Sequence, residues 1–148
     1  MDSDFRMVLR KLTKKDSTTK IKALQEFGAL CEEKDVELLK AVLPYWPRIY
    51  NKVAIDVDHK VRESSQQAMN TLVLRVRKNL APYLKSLIGT WLLCQCDTYQ
   101  TVATASLQAF QTAFPPAKQT DALVYCKSVI CEFLTDILLN QTPNSLSD

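Results

Sequence analysis

The residues best suited to acid–base chemistry stand together in the stretch "DVDHK" at positions 56–60. Asp56 and Asp58 could form a pair of carboxylates, and His59, the only histidine, could act as a base or a metal ligand. The alternative is that an aspartate caps a following helix and that the histidine is solvated or caps the turn. No cysteine pair accompanies them, so the sequence favours the capping interpretation.

Cys94 and Cys96 are the cysteines closest to each other in sequence. A zinc site needs a second pair of ligands, and Cys126 and Cys131 lie five positions apart on a predicted helix, where they would differ in face. We therefore expect no metal, no cofactor and reduced, mostly buried thiols in an intracellular protein. The phosphate-binding and nucleophile-elbow glycine motifs are also missing, so the sequence predicts no enzyme in these 148 residues.

The elements that position the functional side chains of this chain are expected to be helices. Apolar residues recur at helical spacing, they make up 47% of the chain, and there are only two glycines, so the sequence predicts an all-α fold. Asp16 or Ser17 is expected to cap a helix after the first turn. Pro44 and Pro47 predict a break followed by a new helix with one proline in its first turn.

Towards the carboxyl end, Pro82 is expected to open a helix. The apolar positions between residues 123 and 138 predict one last helix, which makes about seven in total. The longest apolar stretch, residues 84–94, is too short to span a bilayer, so no membrane segment is expected.

Segments about 40 residues apart resemble one another, which is typical of stacked helix pairs. The sequence therefore predicts a HEAT-like α-solenoid of about three and a half helix pairs over residues 1–140, with a frayed or disordered tail at 141–148. An irregular helical bundle is the alternative. In this repeat Gly28 aligns with Ala68, and these two small residues are expected where helices approach closely. Val61 aligns with Val102, and Tyr50 with Trp91.

The net charge of +3 is unevenly distributed. Residues 1–85 carry 17 Lys/Arg against 11 Asp/Glu, whereas residues 86–148 carry 2 against 5. Basic residues at equivalent turns of neighbouring units predict a strip that contacts nucleic-acid phosphate; a merely solvated face is the alternative. The residues of this predicted strip are Arg10, Lys11, Lys14, Lys15, Lys60 and Arg62.

Two further sets of side chains are expected to be structural. Arg62 can also bridge to a neighbouring turn, and Arg75, Arg77 and Lys78 lie at a helix end, where the helix dipole favours cations. The aromatic residues are expected in the core rather than stacked on bases, because they fall on helical spacings with other apolar residues. They are Tyr45, Trp46, Tyr50 and Trp91.

Several longer strings resemble one family over nearly the whole chain. They are "DSDFRMVLRKL" (2–12), "VLPYWPRIY" (42–50), "RVRKNLAPYLKSLIGTWL" (75–92), "QCDTY" (95–99) and "FPPAKQ" (114–119). The sequence is similar to the N-terminal domain of listerin, a large RING-type E3 ubiquitin ligase of ribosome-associated quality control.

This resemblance implies an elongated HEAT-type protein whose N-terminal end docks on the large (60S) ribosomal subunit in the cytosol. It implies nuclear export mediator factor as a second partner, while a distant C-terminal RING ubiquitinates the stalled nascent chain. The RING and the rest of the array are absent from this sequence, so we expect a monomeric, non-catalytic fragment. A purely protein-binding or spacer segment without RNA contact remains the alternative.

Overall fold

The computed structural model describes residues 1–140, so the predicted tail at 141–148 lies outside the described residues. Within residues 1–140 the regular structure is helical and contains no strand, which confirms the all-α prediction. A 3-10 helix, Arg77–Tyr83, joins α5 to α6. The α-helices are α1 (Ser3–Lys11), α2 (Ser17–Glu33), α3 (Val36–Val42), α4 (Trp46–Val53), α5 (His59–Val76), α6 (Leu84–Cys94), α7 (Gln100–Ala113), α8 (Pro116–Tyr125) and α9 (Lys127–Asn140).

Aspartate caps begin α2 and α5, as the sequence indicated. Oδ2 of Asp16 accepts the amide hydrogen of Thr19 at 2.8 Å, and Oδ1 of Asp58 accepts that of Lys60 at 2.8 Å. These backbone hydrogen bonds lower the pKa of both carboxyls. Each side chain therefore satisfies a donor that the first helical turn leaves without an intrahelical partner.

The two prolines separate α3 from α4, and Pro47 lies in the first turn of α4, as predicted. The new helix starts with Trp46, whose ring stacks on Phe27 of α2 at 4.6 Å between centroids. Its Nε1 donates to Sδ of Met69 at 3.1 Å. Trp46 and Tyr50 are fully buried.

Tyr45 is the exception among the aromatic residues expected in the core, because 53% of its surface is exposed. It precedes α4 at the N-cap position, outside the inward helical face that Trp46 and Tyr50 share at a spacing of four.

Helix pairs stack in two layers. One layer consists of α2, α5 and α7, in which α5 packs on both α2 and α7. The other consists of α1, α4 and α6, which pack on α2, α5 and α7 respectively. We call the α2–α5 contact the first boundary and the α5–α7 contact the second boundary. Both members of two aligned pairs are fully buried, namely Val61 with Val102 and Tyr50 with Trp91. These contacts are compatible with the predicted stack of helix pairs.

Gly28 does not mark a close approach of helices, so that prediction was wrong. A Cβ built on Gly28 meets no atom within 4 Å. The close approach is at Gly89 of α6, where a Cβ would lie 2.6 Å from Cδ2 of Phe133 in α9.

The carboxyl-terminal part differs from the prediction in two ways. Pro82 lies inside the 3-10 helix, and α6 begins at Leu84. The predicted last helix is two helices, α8 and α9, because Cys126 leaves the helical conformation at φ −98° and ψ 5°. Residues 1–140 thus contain nine α-helices rather than about seven helices. Apolar spacing continues through Cys126, so periodicity could not reveal this break.

Candidate nucleic-acid interface

The candidate acid–base residues are engaged in structural contacts. Asp56 forms an ion pair with Lys20 and its Oδ1 accepts the amide hydrogen of Asp58 at 2.9 Å. The ring of His59 stacks on Tyr99, with 4.0 Å between centroids and 2° between planes. Among residues 1–140 no group of three or more His, Cys, Asp or Glu side chains is placed to hold a metal ion. The stretch at 56–60 therefore builds a turn and a helix cap.

The five cysteines are free thiols, and they fall into a buried and an exposed set. Burial raises the pKa of Cys31 and Cys94 to about 12, so their reactive thiolate forms are scarce at neutral pH. The buried thiols are Cys31, Cys94 and Cys126; the exposed ones are Cys96 and Cys131.

Arg62 links two neighbouring units. Its Nε and Nη2 donate to the carboxylate of Asp97 at 2.8 and 3.3 Å, and its Nη1 donates to the carbonyl of Asp56 at 2.8 Å. Only 15% of the Arg62 side chain and 10% of the Asp97 side chain are exposed. The pair of Lys20 and Asp56 occupies the corresponding position at the first boundary. Arg62 thus bridges to a neighbouring turn, as predicted, and its guanidinium is already engaged.

A groove of about 800 Å³ lies between α1, the turn that follows it, and α4. We call it the basic groove. Its one acidic lining residue, Asp56, is paired with Lys20. The other basic side chains in its wall are exposed and make no ion pair among the described residues. They are Arg6, Arg10, Lys14, Lys15, Arg48 and Lys52.

An exposed aromatic ring joins these cations. Tyr45 lines the basic groove together with Pro44 and Ile49. Cations that track a backbone beside an aromatic ring on which a base can stack are the usual components of a single-stranded nucleic-acid site. The basic groove therefore has the side chains needed to bind phosphate and to stack one base.

The predicted strip is only partly brought together. Arg10, Lys14 and Lys15 line the basic groove. Lys11 instead pairs with Glu26 of α2, with 3.3 Å between Nζ and Oε2, and Lys60 is exposed but does not line the groove. Arg62 is held at the second boundary.

The sequence reasoning missed three cations of the basic groove. They are Arg6, Arg48 and Lys52. Arg6 with Arg10, and Arg48 with Lys52, are spaced four apart, which places each pair on one helical face. That spacing is a signal in the sequence, although it does not reveal that the two faces lie opposite each other.

A second groove, of about 640 Å³, lies at the opposite ends of the helices. The end of α5, the 3-10 helix, the start of α6 and the α7–α8 junction enclose it. Exposed Arg77, Lys78 and Lys118 line it, and no acidic residue does. Its apolar lining includes Val73, Val76, Leu80, Leu84 and Phe114.

Of the predicted structural cluster at this end, only Arg75 has structural partners. Its Nη1 donates to the carbonyls of Cys31 and Glu32 at 2.6 and 2.8 Å, and its Nη2 donates to that of Lys34 at 2.8 Å. Arg75 thus caps the carboxyl end of α2. Arg77 and Lys78 form no ion pair within residues 1–140, and Arg77 has a φ of 48°.

No helix in the described part of the chain is both long and apolar enough to cross a bilayer.

Comparison with known proteins gives a consistent result. The family model described as "E3 ubiquitin-protein ligase listerin, N-terminal domain" matches residues 1–148. Several relatives are named E3 ubiquitin-protein ligase listerin. The protein of Mus musculus is 59% identical and that of Gallus gallus 56% identical, each over 148 residues, or 100% of this chain. That of Drosophila melanogaster is 41% identical over 143 residues, or 95% of this chain. The chain spans 8% of the length of each of these relatives.

Proposed function

The chain belongs to the family of listerin N-terminal domains, and from that premise we propose that it is a non-catalytic docking domain of a RING-type E3 ubiquitin ligase. In this proposal the domain binds the stalled large (60S) ribosomal subunit in the cytosol, beside nuclear export mediator factor. The nascent chain is then ubiquitinated by a RING at the distant carboxyl end of the full-length ligase.

The observation that carries this proposal is the basic groove. Six exposed cations that have no ion-pair partner within residues 1–140 line one concave surface. Residues four apart on a helix are separated by about 6 Å along its axis, which is comparable to the spacing of successive phosphates along a nucleic-acid strand. Arg6 with Arg10, and Arg48 with Lys52, can therefore each contact neighbouring phosphates of rRNA. Tyr45, at the start of α4, can stack on one exposed base.

Salt dependence separates this proposal from a domain that binds only protein or acts as a spacer. Each phosphate contact releases bound counterions, so affinity falls as the salt concentration rises. With four to six contacts, raising the salt from about 50 to 200 mM is expected to weaken binding by roughly two to three orders of magnitude. A protein–protein contact with few charge pairs changes much less over the same range.

The test is co-sedimentation of the chain with purified large ribosomal subunits over a salt series. Arg48→Glu with Lys52→Glu reverses two charges of the basic groove. Lys78→Glu with Lys118→Glu changes the net charge equally but lies in the second groove, so it is the matched control. We expect the first variant to bind at least about tenfold more weakly, with a shallower salt dependence, and the control to bind like the parent protein. Equal binding by both variants, or binding insensitive to salt, would favour the protein-binding or spacer alternative.

The residues predicted from sequence can be tested in the same assay. Lys14→Glu with Lys15→Glu is expected to weaken binding because both side chains line the basic groove. Lys60→Glu is expected to have little effect because Lys60 lies outside that groove. A strong effect of Lys60→Glu in addition to that at residues 14 and 15 would extend the contact along the predicted strip beyond the basic groove.

The absence of ligase chemistry in residues 1–148 is part of the proposal. It is supported by the engagement of Asp56, Asp58 and His59 in turn and cap contacts. A ubiquitin-transfer assay with the purified chain and a panel of conjugating enzymes tests it, and ubiquitin chains formed by this chain alone would overturn it.

A further inference from the structure

We propose that the second groove is a docking site for an acidic, amphipathic peptide segment of a protein partner. This inference is independent of the proposed RNA contact, because the two grooves share no lining residue. The volume of about 640 Å³ is within the range typical of ligand pockets.

The floor of the second groove is suited to apolar side chains. Val73 and Val76 come from α5, Leu80 from the 3-10 helix, and Leu84 from the start of α6. Phe114 and Pro115 complete this lining where α7 ends. These four aliphatic side chains are already buried, so the apolar surface open to a ligand is that of Ala81, Ala113, Phe114 and Pro115. An apolar side chain placed against them would bury this surface, which is favourable in proportion to the area removed from water.

The rim of the second groove is positive. The side chains of Arg77, Lys78 and Lys118 are exposed, and none of them has a carboxylate partner within residues 1–140. The carboxyl ends of α5 and α7 each contribute about half a negative charge, and the amino end of α8 contributes about half a positive one. Three full cations exceed these partial charges, so the groove favours a ligand that carries carboxylates.

The aromatic ring in this groove favours peptide over nucleic acid. Phe114 is half-buried and packs against Phe110 and Trp91, with centroid distances of 5.1 and 6.1 Å. Its ring is thus held in a cluster of the core, whereas the Tyr45 ring of the basic groove is 53% exposed. Accessible apolar groups beside a basic rim match a segment in which leucine-like residues alternate with glutamates.

The test is a titration of the ¹⁵N-labelled chain with a short synthetic peptide in which leucines alternate with glutamates. Two matched peptides carry glutamine or lysine in place of glutamate. We expect saturable amide shifts confined to residues 73–84 and 112–118 with the glutamate peptide, and none with the other two. Lys78→Glu with Lys118→Glu is expected to weaken binding about tenfold. Arg48→Glu with Lys52→Glu, of equal charge change, is expected to leave it unchanged.

Other outcomes contradict the proposal. It fails if the glutamate peptide does not saturate, if all three peptides bind alike, or if the shifts map to the basic groove. It fails in favour of a nucleic-acid site if a single-stranded RNA oligonucleotide shifts residues 73–84 while the glutamate peptide does not. Because the titration is first made on the unmodified chain, these outcomes do not depend on the folding of any variant.

Discussion

Replacing Arg62 by methionine separates two roles that the sequence allowed for this residue, namely phosphate binding and bridging between units. Methionine keeps much of the length of the side chain but loses its charge and its donors. In the parent protein those donors contact both carboxylate oxygens of Asp97 and the carbonyls of Asp56 and Val57. The structure therefore predicts loss of stability rather than loss of a ribosomal contact.

The expected loss of unfolding free energy depends on how deeply the Arg62–Asp97 pair is buried. Breaking a fully buried ion pair by removing one partner costs about 3–5 kcal/mol, because the other charge is left uncompensated. Here 15% of the Arg62 side chain and 10% of the Asp97 side chain remain exposed, so water partly compensates the remaining carboxylate. We expect Arg62→Met to lower the free energy of unfolding by about 2–3 kcal/mol. Arg62→Lys should recover only part of this, because lysine cannot form the two parallel hydrogen bonds.

Urea unfolding followed by circular dichroism measures the effect. A double-mutant cycle with Asp97→Asn is expected to give a coupling of about 1–2 kcal/mol between the two residues. Arg48→Met is the matched control: it removes an exposed guanidinium and should change stability by less than about 0.5 kcal/mol. If Arg62→Met leaves stability unchanged but reduces subunit binding as Arg48→Met does, the bridging role is wrong.

The dependence on pH gives a second check. Burial alone would raise the pKa of Asp97, but the hydrogen bonds from Arg62 and from the amide of Tyr99 outweigh it, so the pKa lies below the ordinary value of 3.8. A carboxyl with a lowered pKa stabilises the fold fully above its unfolded-state value and loses that contribution as the pH falls through the folded-state value. The difference in stability between the parent chain and Arg62→Met should therefore shrink as the pH drops below about 3.8.

Three further predictions concern stability and reactivity. Gly89→Ala should destabilise the fold by about 1–3 kcal/mol, because its Cβ would lie 2.6 Å from a ring atom of Phe133 in α9. Gly28→Ala should stabilise α2 by up to about 1 kcal/mol, because the space around Gly28 is open. Urea unfolding compares the two variants. Arg77→Gly should raise the free energy of unfolding by about 1 kcal/mol in the same assay, because glycine adopts a φ of 48° without the steric cost that arginine pays. In a thiol-labelling time course followed by mass spectrometry, two of the five cysteines should react fast, and rapid labelling of a buried one would contradict the structure. The fast pair is Cys96 and Cys131.

The sequence predicted those features that depend on local spacing. The repeat correctly aligned Tyr50 with Trp91 and Val61 with Val102, because a period of 41 keeps each position on the same inward face. The aspartate cap at residue 58 and the first-turn position of Pro47 follow from backbone donors that any helix leaves unpaired.

Features that depend on which elements meet could not be read from the sequence. The basic groove forms because α1 and α4 lie opposite each other, and no local pattern states that Arg6 and Arg48 share a surface. The break at Cys126 is a single non-helical residue in a continuous apolar pattern. Gly28 was assigned a close approach from its size alone, whereas the available space depends on the distance between helices in three dimensions.

The capping of α2 by Arg75 has a mechanical consequence. At the first boundary, Lys20 with Asp56 links one edge and Arg75 with the last carbonyls of α2 links the other. At the second boundary, among residues 1–140, one edge carries such a link, Arg62 with Asp97. Position 116, which lies 41 residues after Arg75, is a proline. We therefore expect any bending between the second and third units to pivot near Arg62, where one edge is linked. That bending would widen or narrow the unlinked edge, which is where the second groove lies.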